Sequence, residues 1–367
     1  MAIIRAITIH VPEHLSDQGK AEELTNKVKS IIEASRKLLN RYSLECWGFR
    51  ASFPSLKDVK GSTLRDMAES LSNFSDECGA VVAGLHLDEV KGVEQYELLI
   101  KSLELSENLF GSVLVSDVKL LDWYIECLWR HGSESEVFTR LAIVFPRRIL
   151  TPYFPISTSC SGLWGVSIAL RYADLFKVVI RDSRKYGALV GYVRKVFALC
   201  KEIEAETGVR CLGLDLSLSP WMSESVGEIV ELINGASVPE PGSGWAVFKL
   251  NQLINQLAID AKADVIGFNE VMLPVAEDNL LKKRVIEGKL RVRDLVHLAM
   301  YCVAGIDMTA INVESHEKEK LKKILYDAYF LSIVKRRSIG VRLIPAEVEP
   351  GEVVKSERFG DMPVAYL

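Results

Sequence analysis

The sequence predicts an α/β fold: a mostly parallel, closed barrel of about ten strands surrounded by helices, with part of the chain inserted into the lumen. Three observations carry this. Short β-rich runs alternate with longer helical stretches from end to end, the pattern of a mostly parallel sheet covered by helices. Several strands alternate apolar with small or polar residues, whereas strands of an open parallel sheet, buried on both faces, read as continuous apolar runs. Finally, the 22 residues from Ile149 to Leu170 contain no charged side chain, although charged residues make up 26% of the chain.

In order, a strand is expected over 3–10, where Thr8 and His10 share a face, then a helix over 17–40. The strand at 44–53 sets Gly48, Arg50 and Ser52 on one face and leads to a helix over 62–74. At 80–87 the alternation is sharper, with Gly84, His86 and Asp88 opposite Val81, Ala83, Leu85 and Leu87. A helix at 94–106, a strand at 112–117, a helix at 118–130 and a strand at 140–145 follow.

The uncharged stretch then divides. Pro152, Pro155, Gly162 and Gly165 break any helix, and hydroxyls at Ser157, Thr158, Ser159 and Ser161 exclude a membrane span. Residues up to Gly162 therefore read as irregular chain that enters or caps the barrel. From 164 to 171 a strand sets Gly165, Ser167, Ala169 and Arg171 against Trp164, Val166, Ile168 and Leu170.

A helix at 174–206 precedes the strand 211–218, where leucine at every even position opposes Cys211, Gly213, Asp215 and Ser217. Helices are expected at 223–235 and 245–262, and a strand at 263–269 that places Gly267 and Asn269 together. Helices at 276–287 and 291–303, a strand at 309–313, a helix at 316–335 and a strand at 340–345 carrying Gly340 and Arg342 on one face complete the pattern. The Pro/Gly cluster from Val238 to Gly244 is too short to be a linker, so one domain over 1–367 is expected.

Glycines on the polar faces leave room for a ligand or an inserted loop. If those faces converge, the lumen holds Arg50, Arg171 and Arg342, with His10 and His86, against Asp215 and Asp88. Guanidiniums suit bidentate capture of carboxylate or phosphate, so the expected partner is a small anionic metabolite. Ser167, Ser217 and Asn269 join the expected substrate-binding set. Acid–base work would fall to His86, Asp215 or Glu270. Gly242, Ser243 and Gly244 precede a helix and offer backbone N–H groups to an anion. They lack the spacing of a dinucleotide site or a phosphate-binding loop, and a plain helix start explains them as well. Cys160 reads as a buried structural thiol or a nucleophile, with no base near it in sequence. Glu277, Asp278 and Asp307 are further acidic candidates, and Glu277 or Asp278 equally favours the start of the next helix.

Composition removes other classes. A net charge of −4 gives no pull toward nucleic acid or an anionic membrane. The apolar run at the N-terminus has no cleavage-site pattern of a secretory signal. Seven cysteines without a CxxC pair argue against a disulfide framework and against structural zinc, which favours a cytoplasmic setting. Only four glutamines, among so many charged residues, suggest heat adaptation. No motif names a cofactor or a metal. Trp123 and Trp129 fit a homo-oligomer surface or a helix packed on the barrel equally well.

Five ordered segments then carry a resemblance: Asp215-Leu-Ser-Leu-Ser-Pro220, Leu273-Pro-Val-Ala-Glu-Asp278, Gly305-Ile-Asp-Met-Thr-Ala-Ile311, Val341-Arg-Leu-Ile-Pro345 and Phe359-Gly-Asp-Met-Pro-Val364. Their order and spacing resemble the domain-of-unknown-function family numbered 711, as do Ile4-Arg-Ala-Ile-Thr8 and Thr151-Pro-Tyr-Phe154. The resemblance implies a ten-stranded α/β barrel similar to that of pyruvate formate-lyase, with chain inside it, and supplies no reaction. The glycyl-radical motif of enzymes with that fold is missing: neither Ser338-Ile-Gly-Val-Arg342 nor Arg358-Phe-Gly-Asp361 fits it. The family's loop tends to carry a His-Gly pair where this chain reads Ser159-Cys160. An enzyme acting on a small anion is the leading expectation, with a non-catalytic metabolite-binding or regulatory protein second.

Overall fold

The structure, a computed structural model, describes residues 3–13, 18–57, 61–88, 90–159, 162–302, 304–314 and 316–367. The strands are β1 (Ile3–His10), β2 (Phe49–Ser52), β3 (Val82–Leu87), β4 (Leu109–Leu114), β5 (Leu141–Phe145), β6 (Gly165–Arg171), β7 (Arg210–Asp215), β8 (Ala304–Asn312), β9 (Ile339–Ala346), β10 (Val353–Ser356) and β11 (Gly360–Ala365). The helices are α1 (Gln18–Arg41), α2 (Gly61–Glu77), α3 (Val93–Leu103), α4 (Leu121–Arg130), α5 (Ser135–Phe138), α6 (Ala173–Arg181), α7 (Tyr186–Thr207), α8 (Val226–Asn234), α9 (Ser243–Ala261), α10 (Asn279–Ile286), α11 (Val292–Leu298) and α12 (Lys318–Lys335). No helix among the described residues is long and apolar enough to cross a membrane.

All eleven strands belong to one sheet, in the order β10-β11-β8-β9-β5-β4-β3-β2-β1-β6-β7. The run from β1 to β5 is parallel throughout, and the antiparallel joins are β1 with β6, β5 with β9 and β10 with β11. One face packs under helices. In α1 the residues Leu24, Val28, Ile31, Ile32, Leu38 and Leu39 recur at helical spacing and are buried in the same core as Ile7 and Ile9 of β1.

The opposite face holds the uncharged segment, and this explains why that face is polar. Irregular backbone can be buried only if its carbonyls and amides find partners. Thr8 Oγ1 and Arg50 Nη1 both donate to the Pro152 carbonyl, at 3.2 and 3.0 Å, and Ser52 Oγ donates to Ser157 O at 2.9 Å. Ser159 N donates to Phe53 O, and its hydroxyl to Val11 O. Tyr153 and Ile156 of the segment form a small apolar cluster with Ala142, Val144, Ala169, Phe268 and Met272. The irregular part of the segment thus packs on the polar face of the sheet, where Thr8, Arg50 and Ser52 donate to its carbonyls.

Four expectations need correction. Residues 263–269 do not form a strand: Gly267 and Asn269 take left-handed φ values of 83° and 55°, and only isolated bridges at Val265 and Val271 reach β7 and the chain just beyond it. The helix expected over 174–206 breaks at Asp182, whose extended backbone lets its carboxylate accept from Arg184 N. The β10–β11 hairpin was not foreseen, because its first strand, Val353-Val-Lys-Ser356, carries no alternation. A disulfide joins Cys200 of α7 to Cys211 of β7, with Cα atoms 5.6 Å apart. Spacing could not show it, since α7 returns along the neighbouring strand to bring the two thiols together. The argument for a reducing compartment drawn from cysteine spacing loses that support.

Candidate functional site

A cavity of about 240 Å³ opens at the N-terminal ends of the parallel strands. Arg5 of β1, Phe49 and Arg50 of β2, Val82 of β3, Phe110 of β4 and Ala142 of β5 line one side, each within the first three residues of its strand. Asp307 of β8, Arg342 of β9, the loop residues Trp221, Phe268 and Glu277, and the hairpin residues Arg358 and Phe359 line the other. This is the opposite end from the usual ligand crevice of open α/β sheets, which lies at the carboxyl ends of strands. Here the inserted loop occupies part of the face between.

Four guanidiniums and two carboxylates border the cavity. Glu277 lies between two of the arginines, its Oε2 2.5 Å from Arg5 and its Oε1 3.0 Å from Arg342. Arg342 also grips Asp307 through two bonds of 2.7 and 3.1 Å and donates to Thr139 O. Arg5 further donates to Ser219 Oγ and Pro220 O, while its buried Nε has no acceptor among the described residues. Burial alone would raise the Glu277 carboxyl, and the charges of Arg5 and Arg342 more than reverse this, holding it below its ordinary value.

Arg50 and Arg358 make no ion pair among the described residues. The Arg50 side chain has the Pro152 carbonyl and the face of Phe154, 5.4 Å away. Burial first, then the positive charges of Arg5 and Arg358, push Arg50 down to about 9. Arg358 lies over Phe110 and Phe359, at 5.5 and 5.6 Å. The cavity therefore carries more positive than negative charge, and the excess sits on these two arginines.

The residues expected from sequence divide sharply. Arg50 and Arg342 line the cavity together. Arg171 does not: it is held in a fork by Glu224, at 2.9 and 2.7 Å, and stacks on Trp47 at 5.3 Å. Asp215 is fully buried and spends both oxygens on Thr151 Oγ1, Ser217 N and Oγ, Phe268 N and Asn269 N. Burial raises its carboxyl despite those donors. A Cβ on Gly267 would lie 2.1 Å from Asp215 Oδ2, so glycine is required both for its left-handed backbone and for this approach.

Ser217 and Asn269 join the two segments around Asp215, Asn269 Oδ1 accepting from Leu216 N and Ser217 Oγ from Glu270 N. Glu270 pairs with Lys335 at 2.8 Å and Arg337 at 3.4 Å, away from the cavity. His86 meets Ser112 Oγ at 2.8 Å near the far end of β3, and Ser167 meets His10 Nε2 at 2.7 Å. Burial pushes His10 down to about 3. Gly242, Ser243 and Gly244 start α9 as an ordinary helix: Ser243 Oγ bonds Glu240 O, and a Cβ on Gly244 would strike Tyr301. Cys160 lies outside the described residues.

Sequence reasoning missed Arg5 and Arg358; it offered Glu277 and Asp307 as acidic candidates but did not bring them together with the arginines. Arg5 sits where the β1–β6 register shifts between Ile4 and Ala6, and shifts on either side of Ile306 place Asp307 in another bulge. A bulge breaks the period of two on which face assignment rests and re-aims the side chain. Arg358 belongs to the hairpin that alternation did not reveal.

Comparison with known proteins adds kinship. A protein of Sulfurisphaera tokodaii named UPF0210 protein is 28% identical over 183 residues, 49% of this chain and 39% of that protein. One of Lactobacillus helveticus with the same name is 25% identical over 293 residues, 77% of this chain and 61% of that protein. One of Limosilactobacillus reuteri is 32% identical over 201 residues, 54% and 42% of the two chains. The chain thus spans between about two fifths and three fifths of the length of these relatives. A family model matches residues 128–357, which include Glu277, Asp307 and Arg342 of the cavity, and the chain belongs to that family, described as Uncharacterised ACR (DUF711).

Proposed function

We propose that the protein binds a small metabolite bearing a carboxylate or phosphate in the cavity at the strand N-termini. One observation carries the reading: Arg50 and Arg358 border the cavity without a carboxylate partner among the described residues, while Arg5 and Arg342 are neutralised by Glu277 and Asp307. Unpaired guanidiniums in a partly desolvated pocket gain most from an anion that accepts from both. The acid–base candidates His86, Asp215 and Glu270 do not border this cavity, so binding is the function the geometry supports best, and turnover asks for groups of the wall such as Asp307 or Tyr153.

The same reading includes closure of the sheet into a barrel through residues 264–278. In support, Leu214 N donates to Asp264 O, Leu218 N to Glu270 O and Met222 N to Glu277 O, which runs this segment along β7 and its extension. The turn at Val275–Glu277 also contacts β8 and β11.

Mass spectrometry of small molecules that co-purify with the native chain tests the proposal. Anionic species are expected on the native protein and absent from an Arg50→Gln, Arg358→Gln double variant. Equal retention by both proteins, or retention only of neutral or cationic molecules, would overturn it.

A further inference from the structure

The walls of the cavity narrow the ligand further, on the premise that it binds an anion. Trp47 and Trp221 meet edge to face at 4.5 Å, Trp221 and Phe359 at 5.9 Å, and Phe110 and Phe154 at 6.1 Å. Arginines join these pairs into a collar. Arg358 lies over both Phe110 and Phe359, Arg50 over Phe154, and Arg5 over both Trp47 and Trp221 at 5.6 and 5.8 Å.

We infer that the ligand is a small aromatic carboxylate, its ring held in the collar of aromatic side chains and its carboxylate taken by Arg50 and Arg358. Three alternatives fit the same walls less well. A cationic ligand needs open ring faces, and here guanidiniums already cover them. A sugar phosphate or other polyol needs hydroxyl partners along its length, yet Tyr153 already donates to Ser217 O and Ser219 Oγ already accepts from Arg5. A nucleotide is too large, since drug-sized ligands occupy roughly 300–1,000 Å³ and this cavity has about 240 Å³. A planar ring extends the edge-to-face arrangement of the wall, the geometry that aromatic pairs prefer. A carboxylate matches the guanidinium fork and costs less to desolvate than a phosphate dianion.

Isothermal titration of the full chain with phenylacetate, acetate, inorganic phosphate and the neutral phenylacetamide tests this, with tryptophan fluorescence as a local readout from Trp47 and Trp221. Phenylacetate is expected to bind at least roughly ten-fold more tightly than acetate, phosphate or phenylacetamide and to change the emission. Arg358→Gln, on an exposed hairpin turn, is expected to weaken it roughly ten-fold; Arg50→Gln should do the same if it folds. Acetate or phosphate binding as tightly as phenylacetate would overturn the aromatic assignment and leave the anion reading standing. Phenylacetamide binding as tightly as phenylacetate would overturn the anion reading itself, and no binding by any of the four would end both.

Discussion

A carboxylate buried between guanidiniums is favourable only while all its partners are present, and Glu277 meets that condition with Arg5 and Arg342. Glu277→Gln keeps the shape and removes the charge, leaving two arginines facing an amide. The expected loss is about 3–5 kcal/mol at neutral pH, read from urea denaturation. The pH dependence follows from the direction of the shift. The folded carboxyl titrates below its ordinary 4.5, so its contribution is complete above that pH and is lost as the pH falls through the lower folded value. The gap between native and variant midpoints should therefore shrink below pH 4.5, and a gap that stays constant into strong acid would refute this assignment. Asp215 acts in the opposite sense. Its raised carboxyl makes ionisation costly above its ordinary 3.8, so acid relieves strain there.

At the scale of elements, Asp278 shows how a single residue orders two helices. It accepts from Val226 N and Gly227 N at the start of α8, from Leu280 N and Leu281 N at the start of α10, and from Ser225 Oγ. Asp278→Ala removes partners from both helix ends, so the loss should be about 2–4 kcal/mol, against about 1 kcal/mol for Ser225→Ala. Chemical denaturation of the two variants checks this; equal losses would mean that the shared cap is not shared in energy. The sequence made α10 legible through this acidic pair but left open which carboxylate caps the helix and which serves the site. Asp278 is the cap, and Glu277 turns into the cavity. Elements with strict alternation, such as β3 and β7, were legible because one face meets helices and the other meets the inserted loop. The segment after α9 was not, because alternation continues through Gly267 and Asn269 although their left-handed backbones end the pairing. Site residues on regular strands, Arg50 and Arg342, could be read from faces. Those at bulges, Arg5 and Asp307, could not be given a face, since the bulge that aims them breaks the alternation.

For the whole molecule, the Arg5–Glu277–Arg342–Asp307 chain ties β1 to β8 and β9, which lie on the other side of β2 to β5 in the sheet order. Arg5 and Arg342 share Glu277, so their effects should not add. A double-mutant cycle with Arg5→Met and Arg342→Met is expected to give a coupling of about 0.5–3 kcal/mol, and additivity would show that each arginine acts alone.

The span of that chain also sets an order in time. The carboxylate that pairs with Arg5 lies 272 positions after it, and the arginine on the other side of that carboxylate a further 65. During synthesis Arg5 must wait, its charge unmatched by Glu277, until those 272 residues have been made. Contacts so distant in sequence form late, because the entropy of closing the loop precedes any reward. The pocket thus forms late, and a chain truncated before Arg342 would lack it.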